Sequence, residues 1–382
     1  MIDLRLFDRL IGKARRAHVQ IMGEQTTWAN PQDYKNGTVR EAVDAIARHA
    51  GKLKARHMVD GNPVRDEIER ILQLRPNPAM NSYDMIYKLV THTMLKNNGF
   101  LYLDWRRGHL VGVYPVDYTT VTAEEDPDTG ALIMHFLLLN GKDFYADYEN
   151  IIHLRRFFGD KPMLGADNQP MNEAVSMVNA SNSGTISAIK NGTTLRGILK
   201  VTKKAIAPSM VKKNRDDFIA DYANPENTSG IAALDADMEY TPLDPSKMYT
   251  VKAEERKQIK DEVYSYFGIN EKIVRSTYNE DEWNAFYESM LEPIAVQLSL
   301  EMTAKLFTRR EQLQGHEIIF EANRLQYASA KTKIELVNTL GMLGIIMENE
   351  GREVFNMPKL PNGDKLIENW NHTGGTVNNK TE

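Results

Sequence analysis

Residues 208–222, PSMVKKNRDDFIADY, and residues 252–267, KAEERKQIKDEVYSYF, decide how this chain is read. The first stretch predicts a helix that opens after Pro208 with Ser209 as N-cap, carries Met210, Val211, Phe218, Ile219 and Tyr222, and stops at Asn224-Pro225. The second predicts a helix from about Lys252 to Phe267 that keeps Ile259, Val263 and Phe267 on one face. Its other faces are covered by Glu254, Glu255, Arg256, Lys257, Lys260, Asp261 and Glu262, and Gly268 ends it. Each helix is roughly 24 Å long with a narrow apolar stripe, so a hairpin of the two buries little by itself. Two readings stay open at this point: a surface hairpin on a monomer, or a hairpin that packs against copies of itself.

Outward from this pair, Leu195–Val201 reads as a short strand feeding the first helix. Before it, a long helix spans Asn172–Lys190 with Val175, Val178, Ile186 and Ile189 inward. After Gly268 comes a short loop carrying Lys272, Arg275 and Tyr278, and beyond it Pro293 removes an amide donor and crowds the preceding turn, a cause for a kink near Glu292-Pro293. Met342, Leu343, Ile345, Ile346 and Met347 read as the core of a C-terminal helix.

Nearer the start, Val39, Val43, Ile46, Ala47 and Ala50 have helical spacing, with Thr38 and Glu41 as a capping box. A strand at Leu53–His57, a helix at Val64–Leu74 and a helix capped by Asn81 or Ser82 follow. The period then changes: Phe100–Trp105 and Leu110–Pro115 form a hairpin about Arg106–His109, and Val121–Ala123 and Leu132–Leu139 form another about Asp126–Gly130. Tyr148–Phe157 closes this β-rich region, with His153 as a half-buried strand residue. Gly23, Thr26 and Thr27 read as breakers in an adaptable N-terminal arm, after a short amphipathic helix to about Arg16.

The chain has 382 residues, 42% hydrophobic and 26% charged, long enough for two or three packed units. Cysteine is absent, which removes disulfides and thiol nucleophiles and suits a reducing compartment. The start has no signal-peptide pattern, and no apolar run reaches the roughly 20 residues of a bilayer crossing, so neither secretion nor a membrane is expected. The 47 basic against 52 acidic residues argue against a protein that grips nucleic acid over a broad basic face.

Several features line up in order: Leu74-Arg75-Pro76-Asn77-Pro78 before a helix ending in Asn98-Gly99-Phe100-Leu101-Tyr102, then Val113-Tyr114-Pro115-Val116 and Ile151-Ile152-His153-Leu154. Lys190-Asn191-Gly192, Gly197-Ile198-Leu199, Tyr266-Phe267-Gly268-Ile269, Tyr278-Asn279-Glu280, Phe286-Tyr287 and Leu291-Glu292-Pro293 continue the series. From about residue 40 to 370 this succession resembles the HK97-type family of tailed-phage portal proteins.

The resemblance implies an α+β portal-protein fold with an α/β wing, a two-helix stem, a small α/β clip, a long kinked helix and a C-terminal helical crown. It implies residues 1–35 as an N-terminal arm, 36–204 as the first part of the wing, 205–223 and 251–268 as stem helices, and 224–250 as the clip. Residues 269–281 become the tunnel loop, 282–325 the long helix and second part of the wing, 326–370 the crown and 371–382 a disordered tail. The implied assembly is a homo-oligomeric ring, usually of twelve subunits, at one vertex of the capsid in the virion, built in the host cytoplasm. Its implied partners are the major capsid protein, the terminase large subunit, a head-tail connector and the double-stranded DNA passing through in packaging and ejection.

Carried onto this chain, the resemblance makes Lys272, Arg275, Ser276, Tyr278 and Asn279 the tunnel-loop residues nearest DNA. Asp235, Asp237 and Glu239 become the partner-binding face of the clip, and Arg215, Ile259, Val263 and Phe267 the stem residues. The clip stretches Ile231–Leu234 and Met238–Tyr240 alternate enough to form strands. At −5 per chain, twelve copies carry about −60, which disfavours static adhesion of phosphates.

No catalytic residue, metal or cofactor is expected. Gly192–Gly197 has the outer spacing of a phosphate loop without the following Lys-Ser/Thr, and no zincin, dinucleotide or Gly-x-Ser-x-Gly motif occurs. Asp126 and Asp128 read as a hairpin turn rather than a calcium loop. Two alternatives are kept: a metal-dependent nuclease on Asp235 and Asp237, and a monomeric adaptor that binds a protein through the polar hairpin.

Overall fold

The computed structural model describes residues 20–27, 34, 36–126, 129–159, 163–192, 197–201, 208–222, 238–242, 252–321, 330–355 and 357–367. The chain divides into two compact units, one of Met1–Ala29, Glu41–Asp167 and Gly268–Glu382, the other of Asn30–Arg40 and Asn168–Phe267.

The elements run β1 (Gln20–Thr27), α1 (Gly37–Ala50), β2 (Lys54–Val59), β3 (Asn62–Val64), α2 (Glu67–Gln73), α3 (Ser82–Lys96), β4 (Asn98–Arg106) and β5 (His109–Pro115). Next come β6 (Tyr118–Glu125), β7 (Leu132–Leu138), β8 (Asp143–Asp147), β9 (Ile151–Arg155), α4 (Gln169–Gly192), β10 (Gly197–Val201), α5 (Pro208–Tyr222), β11 (Met238–Pro242) and α6 (Ala253–Tyr266). The chain continues through α7 (Glu271–Arg275), α8 (Glu280–Phe286), α9 (Glu292–Leu306), α10 (Arg309–Leu313), β12 (His316–Glu321), α11 (Ala330–Met342) and α12 (Glu348–Val354).

In the larger unit, antiparallel strands pair in the order β1-β6-β7-β8, β5-β4-β9 and β12-β2-β3. Phe100, Tyr118, Val121, Met134, Phe136 and Ile151 form the centre of its core, with the Phe100 ring edge-on to Tyr118 and Phe136 at 5.2 and 5.0 Å. Every α1 position predicted inward, Val39, Val43, Ile46, Ala47 and Ala50, is fully buried. The α3 helix is capped by Asn81, whose side chain accepts from the Asp84 amide at 2.8 Å, and packs on β4.

One polar cluster ties this core together. Asn98 is fully buried; its Oδ1 accepts from the Gly165 amide at 2.8 Å and from His153 Nε2 at 3.0 Å, while its Nδ2 donates to the Lys96 and Gly165 carbonyls at 3.1 and 3.3 Å. Tyr148 donates its hydroxyl to His153 Nδ1 at 3.3 Å, which leaves the proton of a neutral ring on Nε2, facing Asn98. His153 is therefore a fully buried residue rather than the half-buried one expected, and burial holds its pKa well below the ordinary histidine value. Gly165 has to be glycine, because a Cβ there would stand 2.4 Å from the Asn97 carbonyl oxygen and 2.5 Å from that of Arg156.

The smaller unit holds α4, β10, α5, β11 and α6. Met171, Ala174, Val175 and Val178 are buried on α4, whereas Ile186, expected inward, is 53% exposed. The α6 helix packs against α4, buries Val263 and Phe267, leaves Ile259 half-buried, and ties Tyr266 Oη to Asn168 Oδ1 at 2.5 Å. β10 and β11 form a two-stranded antiparallel ribbon.

Several expectations are corrected. Gln20–Thr27 is a strand on the edge of β6, with a register irregularity at Ile21/Glu24 that accommodates Gly23. The α2 helix starts at Glu67 with Asp66 as cap, since Val64 pairs with His57 in a sheet. The α5 helix starts at Pro208, whose missing amide costs nothing in a first turn, so Ser209 lies inside it. The long helix ends at Leu306, and its interruption is a π-helical turn at Tyr287–Leu291 where the Glu292 amide reaches Tyr287, just before Pro293. The α11 helix ends at Met342; Gly344 turns with φ +64°, leaving Leu343 and Ile345 exposed rather than in a core. Residues 1–16, Ile231–Leu234, Asp235, Asp237 and 371–382 lie outside the described residues.

Candidate functional site

The stretch that follows α6 begins at Gly268, whose φ of +71° lets the chain turn sharply. It was expected to be a loop, yet Glu271–Arg275 is a short helix, capped by Asn270, whose side chain accepts from the Ile273 amide at 3.1 Å. Ile273 is buried and pins that helix. Asn279 then caps α8 in a reciprocal box with Glu282: the Glu282 amide donates to Asn279 Oδ1 at 2.8 Å, and the Asn279 amide to Glu282 Oε2 at 3.0 Å.

Each candidate side chain here has a local partner. Lys272 pairs with Glu282, and Arg275 with Glu271 at 2.7 Å; both cations stay largely exposed. Ser276 ends the α7 helix in the left-handed region at φ +57°. Arg48 of α1 donates to Ser276 Oγ at 3.1 Å and to the Val274 and Ile273 carbonyls at 3.0 and 3.4 Å, so a guanidinium fastens the C-terminal end of α7. Asp44 in turn accepts from Arg48 at 3.4 Å and from the Tyr87 hydroxyl at 2.8 Å.

Tyr278 lies 5.2 Å from Trp283, and both flank His49, whose ring is 4.8 Å from Trp283 and 5.8 Å from Phe286. Burial, aided by the Lys52 and Arg48 charges, lowers the His49 pKa to about 4. In the unfolded chain the ring takes its proton near 6.5. Between these values the unfolded state binds more protons, so stability is full above about pH 6.5 and falls as pH drops towards 4. Thermal melting should therefore show a lower Tm at pH 4.5 than at pH 7.5, with a shallower fall in His49→Gln; equal slopes would rule out His49 as a source of the acid sensitivity.

Of the residues expected in a clip, Glu239 is exposed on β11 and pairs with Lys200 of β10 at 3.3 Å, directly across the ribbon. Arg215 is exposed on α5 beside Asp216 at 2.5 Å. Among the described residues no group of three or more His, Asp or Glu side chains is placed to hold a metal, and no helix is long and apolar enough to cross a membrane.

Residues 37–356 match the family model for the phage portal protein. The chain belongs to the phage portal protein family. Curated relatives of the portal family are the probable portal proteins of Lactococcus phages p2 and SK1, each 22% identical over 389 residues, spanning 96% of this chain and 93% of the relative. The fold is shared with a chain of the native gene transfer agent virion, at TM-score 0.60 and 16% identity, over 93% of this chain and 99% of that one. A chain from the native gene transfer agent neck computed with C12 symmetry matches at TM-score 0.56 and 15% identity, over 86% and 92% of the two chains. The HK97-family phage portal protein of Corynebacterium diphtheriae matches at TM-score 0.56 and 12% identity, over 80% and 99%.

Within this portal fold, sequence reasoning missed Arg48 and His49. Their partners on Ile273–Phe286 lie 225 or more positions away, and no local pattern announces a clasp across that separation.

Proposed function

We propose that this chain is the subunit of a closed ring at one capsid vertex, through which DNA enters and leaves and on which the packaging motor and head-tail connector dock. The family match over residues 37–356 carries this reading. Its physical support lies in helices that are short of buried apolar surface: α5 exposes Met210 and Val211, and α6 buries only a short stripe. Such helices gain stability when copies pack side by side and a wet channel takes the polar faces. The role is structural rather than catalytic, and the particle, with the host cytoplasm during assembly, is its place of action. The capsid protein contacts its outer face.

Lys272 and Arg275 are the channel cations in this reading. Exposed ion pairs are weakly held and salt-sensitive, so a passing phosphate can exchange for Glu282 or Glu271. Contacts of that kind brush DNA without holding it. The clip acids Asp235, Asp237 and Glu239 form the docking face for motor and connector. Changing Lys272 and Arg275 together to Ala should leave rings intact and lower the yield of packaged DNA several-fold in a packaging assay. Unchanged yield at normal ring number would remove these cations from the channel role.

A further inference from the structure

Two surface features of the larger unit remain without a role, and they complement each other. The first is an open groove of about 900 Å³ between α9, β12 and the segment from α11 to α12. Val296, Leu300 and Ile345 line it and are 51, 66 and 62% exposed, an apolar patch that stands open in the single chain. Four glutamates, Glu292, Glu321, Glu350 and Glu353, border it against two cations, Lys54 and Arg56, and Arg56 is already paired with Glu321 at 3.3 Å. The groove is thus apolar inside and acidic at its rim.

The second is the turn Arg155-Arg156-Phe157-Phe158 at the end of β9. Phe157 and Phe158 are 49 and 61% exposed, and Phe157 adopts φ +49°, a strained conformation for a bulky residue. The turn is held rigidly: the Arg156 amide donates to the Asn97 carbonyl at 2.9 Å, the Ala166 amide to the Phe157 carbonyl at 2.7 Å, and Phe158 bridges to Gly165. Each ring is backed by a guanidinium, Arg156 at 4.5 Å from Phe157 and Arg155 at 5.3 Å from Phe158. Aromatic residues, phenylalanine among them, and arginine are enriched at protein interfaces, and preorganisation lowers the cost of binding.

Both features hang on one helix. Gln297 of α9 accepts from the Arg155 amide at 2.6 Å and donates to its carbonyl at 3.2 Å, while Val296 and Leu300 of the same helix face the groove. The turn and the groove are therefore two different patches that flank the same stretch of α9. Two unlike, mutually complementary patches on one molecule allow a head-to-tail contact, which closes into a ring when its rotation closes.

We propose that the Arg155–Phe158 turn of one copy seats in the α9 groove of the next, its phenyl rings against Val296, Leu300 and Ile345 and Arg156 towards the rim glutamates, while Arg155 stays tied to Glu301 and the Met163 carbonyl of its own subunit. This rests on the ring reading above. The absence of cysteine makes it directly testable, with Gly159→Cys beside the turn and Lys54→Cys at the groove rim, both exposed and outside the proposed contact, treated with a short bis-maleimide.

The double variant should melt as wild type and give a denaturing-gel ladder from dimer upward. Either single variant alone should stay monomeric on the gel, and a co-assembled mixture of the two should give dimer. A double variant that forms rings of normal mass yet runs only as monomer after cross-linking would overturn the proposed contact while leaving the ring intact. A wild-type chain that never forms rings would overturn the ring reading itself, and this contact with it.

Discussion

Replacing Ile259 with proline is expected to abolish ring assembly. Ile259 lies in the second turn of α6, half-buried, one helical turn before the buried Val263. A proline there removes the amide that bonds to the carbonyl of Glu255 and crowds that turn, at a cost of about 3 kcal/mol or more. The damage falls on a helix with few apolar contacts to spare, so α6 should unwind from its N-terminal end. The larger unit has its own core and should keep its strand signal. Circular dichroism should show a partial loss of helix, and mass photometry should show monomers in place of rings. Rings of normal mass from this variant would mean that α6 is not part of the assembly.

The second large effect is expected at Asn98. Asn98→Leu fills the volume but leaves the His153 ring N–H, the Gly165 amide and the Lys96 and Gly165 carbonyls without their partner. Each buried polar group left unpaired costs about 1–3 kcal/mol, so the variant should lose about 3 kcal/mol or more of stability even after some relaxation. A denaturant melt reads this as a shift of the midpoint to lower concentration. A shift worth under about 1 kcal/mol would show that the cluster is not what holds Gly165 against β4.

What the sequence revealed depended on how local its causes were. The apolar repeat of Val39, Val43, Ile46, Ala47 and Ala50 predicts a buried helical face, and the structure buries all five. The Arg106–His109 turn is equally local: Arg107 and Gly108 take φ of +53° and +80°, the left-handed pair that a two-residue hairpin needs. The ordered matches from Leu74 to Pro293 carried the family.

Short or distant causes stayed hidden. The α7 helix spans five residues, too few for a period to show, and its stability comes from Asn270 and from Arg48 far away in the sequence. Strands β1 and β8 are paired through β6 and β7, so partners rather than their own residues define them. The same holds for the candidate site. Lys272 and Arg275 were legible as cations after the α6 helix, but their pairing with Glu282 and Glu271 and the Arg48 clasp beneath them belong to the folded state. Of the expected core of Met342–Met347 only Ile346 is buried: the helix ends at Met342, and the turn at Gly344 leaves Leu343 and Ile345 facing outward.

The central claim is that this chain works as a ring, and imaging the purified protein by cryo-electron microscopy tests it most directly. The account predicts closed rings of about twelve copies, with α5 and α6 gathered about a central channel. A strict monomer under every assembly condition would contradict it.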